Sequence, residues 1–238
     1  MRQQTSENSK DMIKKNQKEV ERLTKAQRDL QKEYDEMTQQ QKATYAFLKE
    51  RIPDLFKKDE TSLEHKKITA MSEVLIQHCF FPRLMHSARD ALFSFQFFKL
   101  LHRLRVPNFN FLHFFGQITR CIVPAIHFCS EDEAENLGIF FLELFKQLSH
   151  WSKREVWDKE CHGYGGFARE MIDPTKCITL KDFDKIISAI NKRISAAMIF
   201  CFDESGKMQV KARTALIILN RVHPVFSNSY SNTKAIQA

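Results

Sequence analysis

The segment 158-DKECHGYGGF-167 holds the residues of this chain that most resemble a chemical site. It places Cys161 beside His162 and follows them with three of the six glycines in 238 residues. Cysteine and histidine are the side chains that bind zinc, and a glycine-rich loop can cradle a phosphate through its backbone amides. A turn between two helices would need the same glycines for their backbone freedom. The three interpretations predict different surroundings.

Zinc is not favoured by the spacing of the ligand candidates. Structural zinc sites usually take two pairs of ligands, each pair separated by two to four residues. The six cysteines form no CxxC pair, and most lie on apolar helical stripes, where cysteine acts as a small hydrophobe. The other residues that could approach Cys161 and His162 are Cys129, Cys177, His127 and His150. We expect neither a metal nor another cofactor.

The loop also lacks the patterns of a nucleotide site or a catalytic site. It contains no GxxxxGK[ST] or GxGxxG sequence, and no predicted strand precedes it. A nucleophile needs a neighbouring base, and no nucleophile elbow or other local signature surrounds the serines and cysteines. His102 and His113 lie among Phe and Leu residues, which is typical of packed histidines. We therefore predict that the chain is not an enzyme.

The remaining interpretation of the segment is a corner between helices. Cys161 and His162 would end the preceding helix, and the glycines would permit a positive φ angle or a tight backbone crossing. Tyr164 and Phe167 would then attach the turn to the helical core.

The elements around this corner are predicted to be helices. Alternating hydrophobic segments joined by Asn-Gly or Asp-Gly turns are missing. Of 21 phenylalanines, 14 fall between Phe80 and Phe145, which places the core there because each buried aromatic removes roughly 150–250 Å² from water. We predict helices over residues 72–81, closed by Pro82, over residues 87–106, and from about 111 towards Cys129 with a kink or break at Pro124. Further helices are predicted over 130–154, after Thr179, and over about 210–222, ended by Pro224.

Three helix starts carry capping signals. Ser87 with Asp90 is a plausible N-cap, Ser130 and Glu133 match a capping box, and Thr179 opens the next helix. The fold class is therefore all-α. Successive amphipathic helices suggest stacked helical pairs, an α-solenoid of HEAT-like type, although a compact irregular bundle remains open.

The N-terminal region differs from the rest. Residues 7–50 predict one long polar helix, and the domain boundaries that follow are 1–50 for this helix, 51–71 for a charged linker, 72–226 for the helical domain and 227–238 for a disordered tail. Apolar side chains recur at heptad spacing in this helix, which indicates either a coiled coil or a helix that binds a partner; a solvated helix is the alternative. The heptad positions are Ile13, Val20, Tyr34 and Leu48 in one row and Leu23, Leu30 and Met37 in the other, with Asn16, Gln27, Gln41 and Thr44 interrupting them.

The charge of the chain is concentrated near its C-terminus. The formal net charge is +8, and residues 176–238 contribute 10 basic against 4 acidic side chains. A basic surface favours acidic partners such as RNA, whereas a solubilising surface has the same composition. The dense phenylalanines have the spacing of helix cores, so they do not predict the aromatic sheet of an RNA-recognition domain. Candidate contacts for nucleic acid or a protein partner are Lys181, Lys185, Lys192, Arg193, Lys207, Lys211, Arg213 and Arg221.

Several short strings of this sequence form an ordered set. They are 80-FFPR-83, 87-SARDALF-93, 107-PNF-109, 130-SEDEA-134 with Gly138 and Phe140, Trp151 and Arg154 with 157-WDKECHGYGGF-167, and 213-RTALIILNRVHPVF-226. Together they resemble the C-terminal conserved region of a known family, the second and largest subunit of the THO complex. The resemblance covers about residues 74–226, and the charged helix before them resembles the helical stretch rich in Lys, Glu and Gln that precedes this region in the family. The chain departs from the family pattern at Gly165, where a proline is usual, and at Pro124, which lies where an uninterrupted helix is usual.

The resemblance implies a non-catalytic helical scaffold in a nuclear assembly that couples transcription to messenger RNA packaging and export. The implied partners are other THO subunits and a DEAD-box RNA helicase, with mRNA bound directly or indirectly. Family members are far longer, so we expect the chain to be a fragment or a reduced version. No apolar run approaches the length of a membrane span, so we expect no membrane contact. The alternative function is an autonomous nucleic-acid-binding helical module that uses the basic C-terminal helices.

Overall fold

A computed structural model describes residues 2–56, 73–106, 109–169, 176–203 and 209–226. Over these residues the protein is all-α, as predicted, and the only strand-like pairing is an isolated antiparallel bridge between Ala168 and Cys177. The chain divides into two compact units, residues 1–54 and the residues from 55 onward. The stacking of helical pairs into a solenoid stays a prediction. Most of the predicted linker and the predicted tail at 227–238 lie outside the described residues.

The first unit consists of one helix, α1, which spans Arg2–Leu55. It continues past residue 50, where we expected the linker to begin. Pro53 lies in its last turn, where a proline removes one backbone hydrogen bond and the helix ends soon afterwards. Exposed ion pairs such as Arg22–Glu19 at 2.8 Å follow its surface, and each contributes only a few tenths of a kcal/mol, about 0.2–0.5.

The second unit contains seven helices among its described residues. A π-helical segment, Ile76–Phe80, precedes the first of them. A short 3₁₀ turn, Gly165–Phe167, separates the fifth of them from the sixth. The helices are α2 (Phe81–His86), α3 (Ala88–Arg103), α4 (Phe111–Ala125), α5 (Glu131–Trp151), α6 (Arg154–Glu160), α7 (Leu180–Asp203) and α8 (Gln209–Phe226).

The predicted capping residues are confirmed. The Ser87 hydroxyl accepts a hydrogen bond from the Asp90 backbone amide at 3.1 Å, and the Thr179 hydroxyl accepts one from the Asp182 amide at 3.2 Å. Ser130 forms the full capping box with Glu133, whose carboxylate accepts from the Ser130 amide at 2.8 Å. Each cap satisfies amides that the helix itself leaves without a partner, which is worth about 1 kcal/mol.

Two predictions that rested on prolines were wrong. Pro82 does not close a helix but lies in the first turn of α2, where its missing N–H would have had no helical partner. Pro224 lies inside α8, which runs on to Phe226, because a proline in the last turn removes little hydrogen bonding. Pro124 was predicted to kink or break a helix. It lies in the last turn of α4, and a turn covers residues 126–128, so the helix does not continue past it.

Helix α5 is the centre of the second unit. It contacts α2 and α3, which precede it in the chain, and α6 and α8, which follow it. Its side chains are buried on several sides, including Leu137, Phe140 and Phe141, none of which is exposed to solvent. The approach of α8 is close, since a Cβ atom at Gly138 would lie 3.0 Å from the Cβ and Cγ atoms of Arg221. A larger residue at that position would have to push α8 away.

This contact predicts opposite effects for the same substitution at two helical glycines. Gly138→Ala should lower the free energy of unfolding by about 1–2 kcal/mol, because α8 has to shift. Gly116→Ala in α4 is the matched control, since no atom lies within 4 Å of a Cβ there, and it should raise stability by about 0.5–1 kcal/mol. Urea unfolding of both variants tests this, and a gain of stability in both would show that the α5–α8 contact is not tight.

Candidate functional site

The segment 158–167 forms a packed corner between two helices. Cys161 follows the last residue of α6 and is fully buried, as predicted for the end of a helix. Burial raises the pKa of the Cys161 thiol, which keeps the sulfur protonated and unreactive near pH 7. Among the described residues, no three His, Cys, Asp or Glu side chains gather closely enough to hold a metal ion.

Two glycines shape this corner, as the sequence predicted. Gly163 has a φ angle of +79°, which residues with a Cβ atom rarely adopt. Gly166 lies against the ring of His102, and a Cβ atom there would come within 3.1 Å of the His102 Nδ1 atom. The first glycine turns the chain, and the second lets the backbone approach a buried imidazole.

His102 lies at the centre of the corner. Its Nε2 atom is 3.0 Å from the Glu160 backbone carbonyl, to which it donates. Its ring lies 5.0 Å from the Trp151 ring and 5.1 Å from the Phe167 ring, measured between centroids. Burial lowers the pKa of His102 to about 4, although the hydrogen bond to Glu160 opposes this shift. The imidazole is therefore neutral near pH 7 and links α3 to the end of α6.

The side chain of Glu160 ties the same corner to α5. One carboxylate oxygen accepts from the Trp151 Nε1 atom at 3.0 Å, and the other lies 3.4 Å from the His150 Nε2 atom. Burial acts to raise the pKa of Glu160, but the hydrogen bonds from Trp151 and His150 outweigh it, so the pKa is lowered. The sequence predicted the attachment of Tyr164 and Phe167 to the core but not these polar contacts.

Six of the eight predicted basic residues fall into two groups in the structure. Lys185 pairs with Asp182 at 3.4 Å, Arg213 with Glu131 at 3.2 Å and Arg221 with Glu135 at 3.7 Å. Pairs at such exposed positions are weak, typically below about 1 kcal/mol. The second group, Lys181, Lys192 and Arg193, is exposed and forms no ion pair within the part of the chain that the structure describes. Lys207 lies outside that part.

One of these residues, Arg193, lines a surface groove between α4 and α7. The groove has a volume of about 450 Å³, and Arg120 lines its opposite wall. Neither guanidinium makes an ion pair with a described residue. Val123, Pro124 and Ala197 are apolar residues of its lining. We refer to this feature as the α4–α7 groove.

Aromatic side chains lie at one end of the α4–α7 groove. Phe128, in the turn after α4, is 84% exposed, and Phe200 on α7 is 48% exposed. The His127 ring lies between them, 6.2 Å from the Phe128 ring and 5.1 Å from the Phe200 ring. The Lys211 Nζ atom is 6.0 Å from each phenylalanine ring. Sequence reasoning missed Arg120 and placed Phe128 in the core.

The family of this chain follows from its similarity to known proteins. The model of the family described as "Transcription factor/nuclear export subunit protein 2", Tho2, matches residues 1–238. The chain belongs to the Tho2 family. Among curated relatives, THO complex subunit 2 of Arabidopsis thaliana is 30% identical over 228 residues, which cover 94% of this chain and 12% of the relative. THO complex subunit 2 of Homo sapiens is 25% identical over 170 residues, or 68% of this chain and 10% of the relative.

The predicted resemblance is thus confirmed, both for residues 74–226 and for the helix that precedes them. The chain spans about a tenth of the length of the Tho2 relatives it matches. None of its described helices combines the length and the apolar character that crossing a bilayer requires.

The burial of His102 predicts a specific pH dependence of stability for this Tho2 domain. The pKa of the imidazole is about 4 in the folded state and roughly 6.5 in an unfolded chain. Between these values the unfolded chain binds a proton that the folded chain does not, so stability falls as the pH falls through this window. The loss is on the order of 3 kcal/mol, from about 1.4 kcal/mol for each unit of pKa difference.

Urea midpoints at pH 7 and pH 4.5 measure this effect. The substitution His102→Gln keeps a donor near the Glu160 carbonyl and removes the titration, so its midpoint should decline less on acidification than that of the original chain. His223→Gln changes an exposed histidine and should leave the decline as it was. An equal decline in the His102 variant would show that the buried imidazole does not control acid stability.

Proposed function

We propose that the chain is a non-catalytic helical scaffold segment of a THO-type transcription-export complex in the nucleus. It would bind other THO subunits and a DEAD-box RNA helicase, and so help couple transcription to the packaging and export of mRNA. Membership of the Tho2 family supports the assignment to such a complex. The observation that carries the scaffold role is the exposed heptad stripe of α1.

Helix α1 has the form of a helix that binds another helix. Its 54 residues correspond to about 80 Å at 1.5 Å per residue. The predicted heptad side chains from Ile13 to Met37 are more than half exposed, as the values for Leu23 (57%) and Leu30 (66%) show. Leu48, the last of them, is half-buried. A polar helix gains little from its own backbone and usually owes its stability to packing of an apolar face. We therefore assign this face to a partner helix.

The second unit would supply the rigid part of the scaffold. Its core contains two tryptophans and eight phenylalanines among the largest side chains that are fully buried. Dense packing of this kind transmits force and keeps exposed residues at fixed distances. A catalytic role is not supported by the corner at 158–167, because the Cys161 thiol and the His102 imidazole that packs against the corner are both buried.

Co-purification tests the scaffold role directly. The tagged chain, expressed in nuclei of a eukaryotic cell, should capture THO subunits and a DEAD-box helicase. The double substitution Leu23→Gln and Leu30→Gln should reduce this capture at least about tenfold, since each buried leucine contributes roughly 1.5–3 kcal/mol to an interface. The thermal midpoint of the isolated chain should not change, because both side chains are exposed.

Lys25→Gln is the matched control for these substitutions. It introduces the same residue between the two leucines, but off the heptad rows. Capture should then remain at its original level. If the leucine variant captures the same proteins as the original chain, the apolar stripe of α1 is not the binding face; if neither captures a THO subunit, the proposed function is wrong.

A further inference from the structure

We infer that the α4–α7 groove and the aromatic rings at its end bind single-stranded RNA. Arg120, Arg193 and Lys211 would contact phosphates, while Phe128 and Phe200 would stack on unpaired bases. This site goes beyond the proposed scaffold role; only the choice of RNA over DNA rests on that role.

The charges of the groove favour a polyanion. Arg120 on α4 and Arg193 on α7 face the groove from opposite walls, and Lys211 on α8 lies near its end. Thr119 and His127 are the other polar residues of the lining, and no carboxylate is present among the described residues that form it. The two guanidiniums are not neutralised by ion pairs with described side chains, so a phosphate would not have to displace a carboxylate. Each phosphate contact releases condensed cations from the nucleic acid, which favours binding.

The exposed rings favour unpaired bases over other polyanions. Phe128 leaves 84% of its surface in water, although burying such a ring would stabilise the protein by roughly 1.5–3 kcal/mol. Phe200 is about half exposed, and the Lys211 ammonium lies 6.0 Å from both rings. Aromatic faces beside basic side chains form the arrangement with which proteins bind single strands, because every base offers a π face. A duplex keeps its bases stacked on each other and cannot use these rings.

The size and shape of the groove agree with this ligand. The groove is a largely open depression of about 450 Å³, which is room for a nucleotide-sized group. The most exposed apolar side chain beside it is that of Phe128, a single ring of the kind on which one base can stack.

Fluorescence anisotropy of the full 238-residue chain with a labelled 15-nucleotide single-stranded RNA tests the inference. The double substitution Phe128→Ala and Phe200→Ala should weaken binding at least about fivefold for each base that loses its stacking partner. Arg120→Gln with Arg193→Gln should lower the slope of log affinity against log salt by about 1.4, at about 0.7 for each lost phosphate contact. Duplex RNA should bind much more weakly than the single strand.

Two matched controls isolate the groove. Phe93→Ala removes a phenylalanine that is exposed to the same extent as Phe200, 48%, but lies on α3. Arg213→Gln with Arg221→Gln removes the same total charge as the groove variant at residues that pair with Glu131 and Glu135. Both controls should keep the affinity and the salt slope close to those of the original chain.

Four outcomes would overturn the inference. They are a chain that binds no RNA, equal affinity for duplex and single strand, equal losses in the groove variants and their controls, and tighter binding of single-stranded DNA of the same sequence. If the phenylalanine variant keeps its RNA affinity but no longer captures a THO subunit, the groove is a protein-binding site. Co-purification through α1 is a separate measurement, so a failure of RNA binding leaves the scaffold proposal standing.

Discussion

The burial of α5 is the constraint on which the second unit depends. A helix that carries apolar side chains on several sides cannot face water on any of them without loss of stability. Four helices cover these sides. Helices α2 and α3 precede α5 in the chain, helices α6 and α8 follow it, and all four contact it. The corner at 158–167 follows from the same need, because it returns the chain over Trp151 after α5 ends. His102 is buried there and Glu160 is exposed at the edge; both link helices through hydrogen bonds.

Local chemistry made much of this fold predictable. The caps at Ser87, Ser130 and Thr179 depend on residues three positions apart, so the sequence alone contains both partners. The prolines were misread because their effect depends on the position within a helix. Pro82 opens α2 and Pro224 lies two residues before the end of α8, and both positions are fixed by tertiary packing that no local pattern records.

The surface was less predictable than the core. Charge alone could not separate Arg193, which lines the groove, from Arg221, whose carboxylate partner lies on α5. The α4–α7 groove combines side chains of α4 and the turn after it with side chains of α7, which lie about 70 residues later in the sequence. Phe128 follows a row of core phenylalanines, so spacing assigned it to the interior. Pro124 was the available signal, since the helix ends one residue after it and Phe128 then lies in a turn and not on a helical stripe.

The thiols of this protein differ in their access to reagents. All six cysteines lie in the described part of the chain; Cys129, Cys161 and Cys201 are buried, Cys121 and Cys177 are half-buried, and Cys79 is exposed. Only thiolates react readily with maleimides or oxidants, and burial raises the pKa of Cys129 to about 11. Under mild alkylation, Cys79 in the π-helical segment is therefore the first attachment point for a fluorophore or a crosslinker. The segment 158–167 first suggested a metal centre, but its Cys161 is buried. The thiol that is most accessible to reagents, Cys79, lies far before it in the chain.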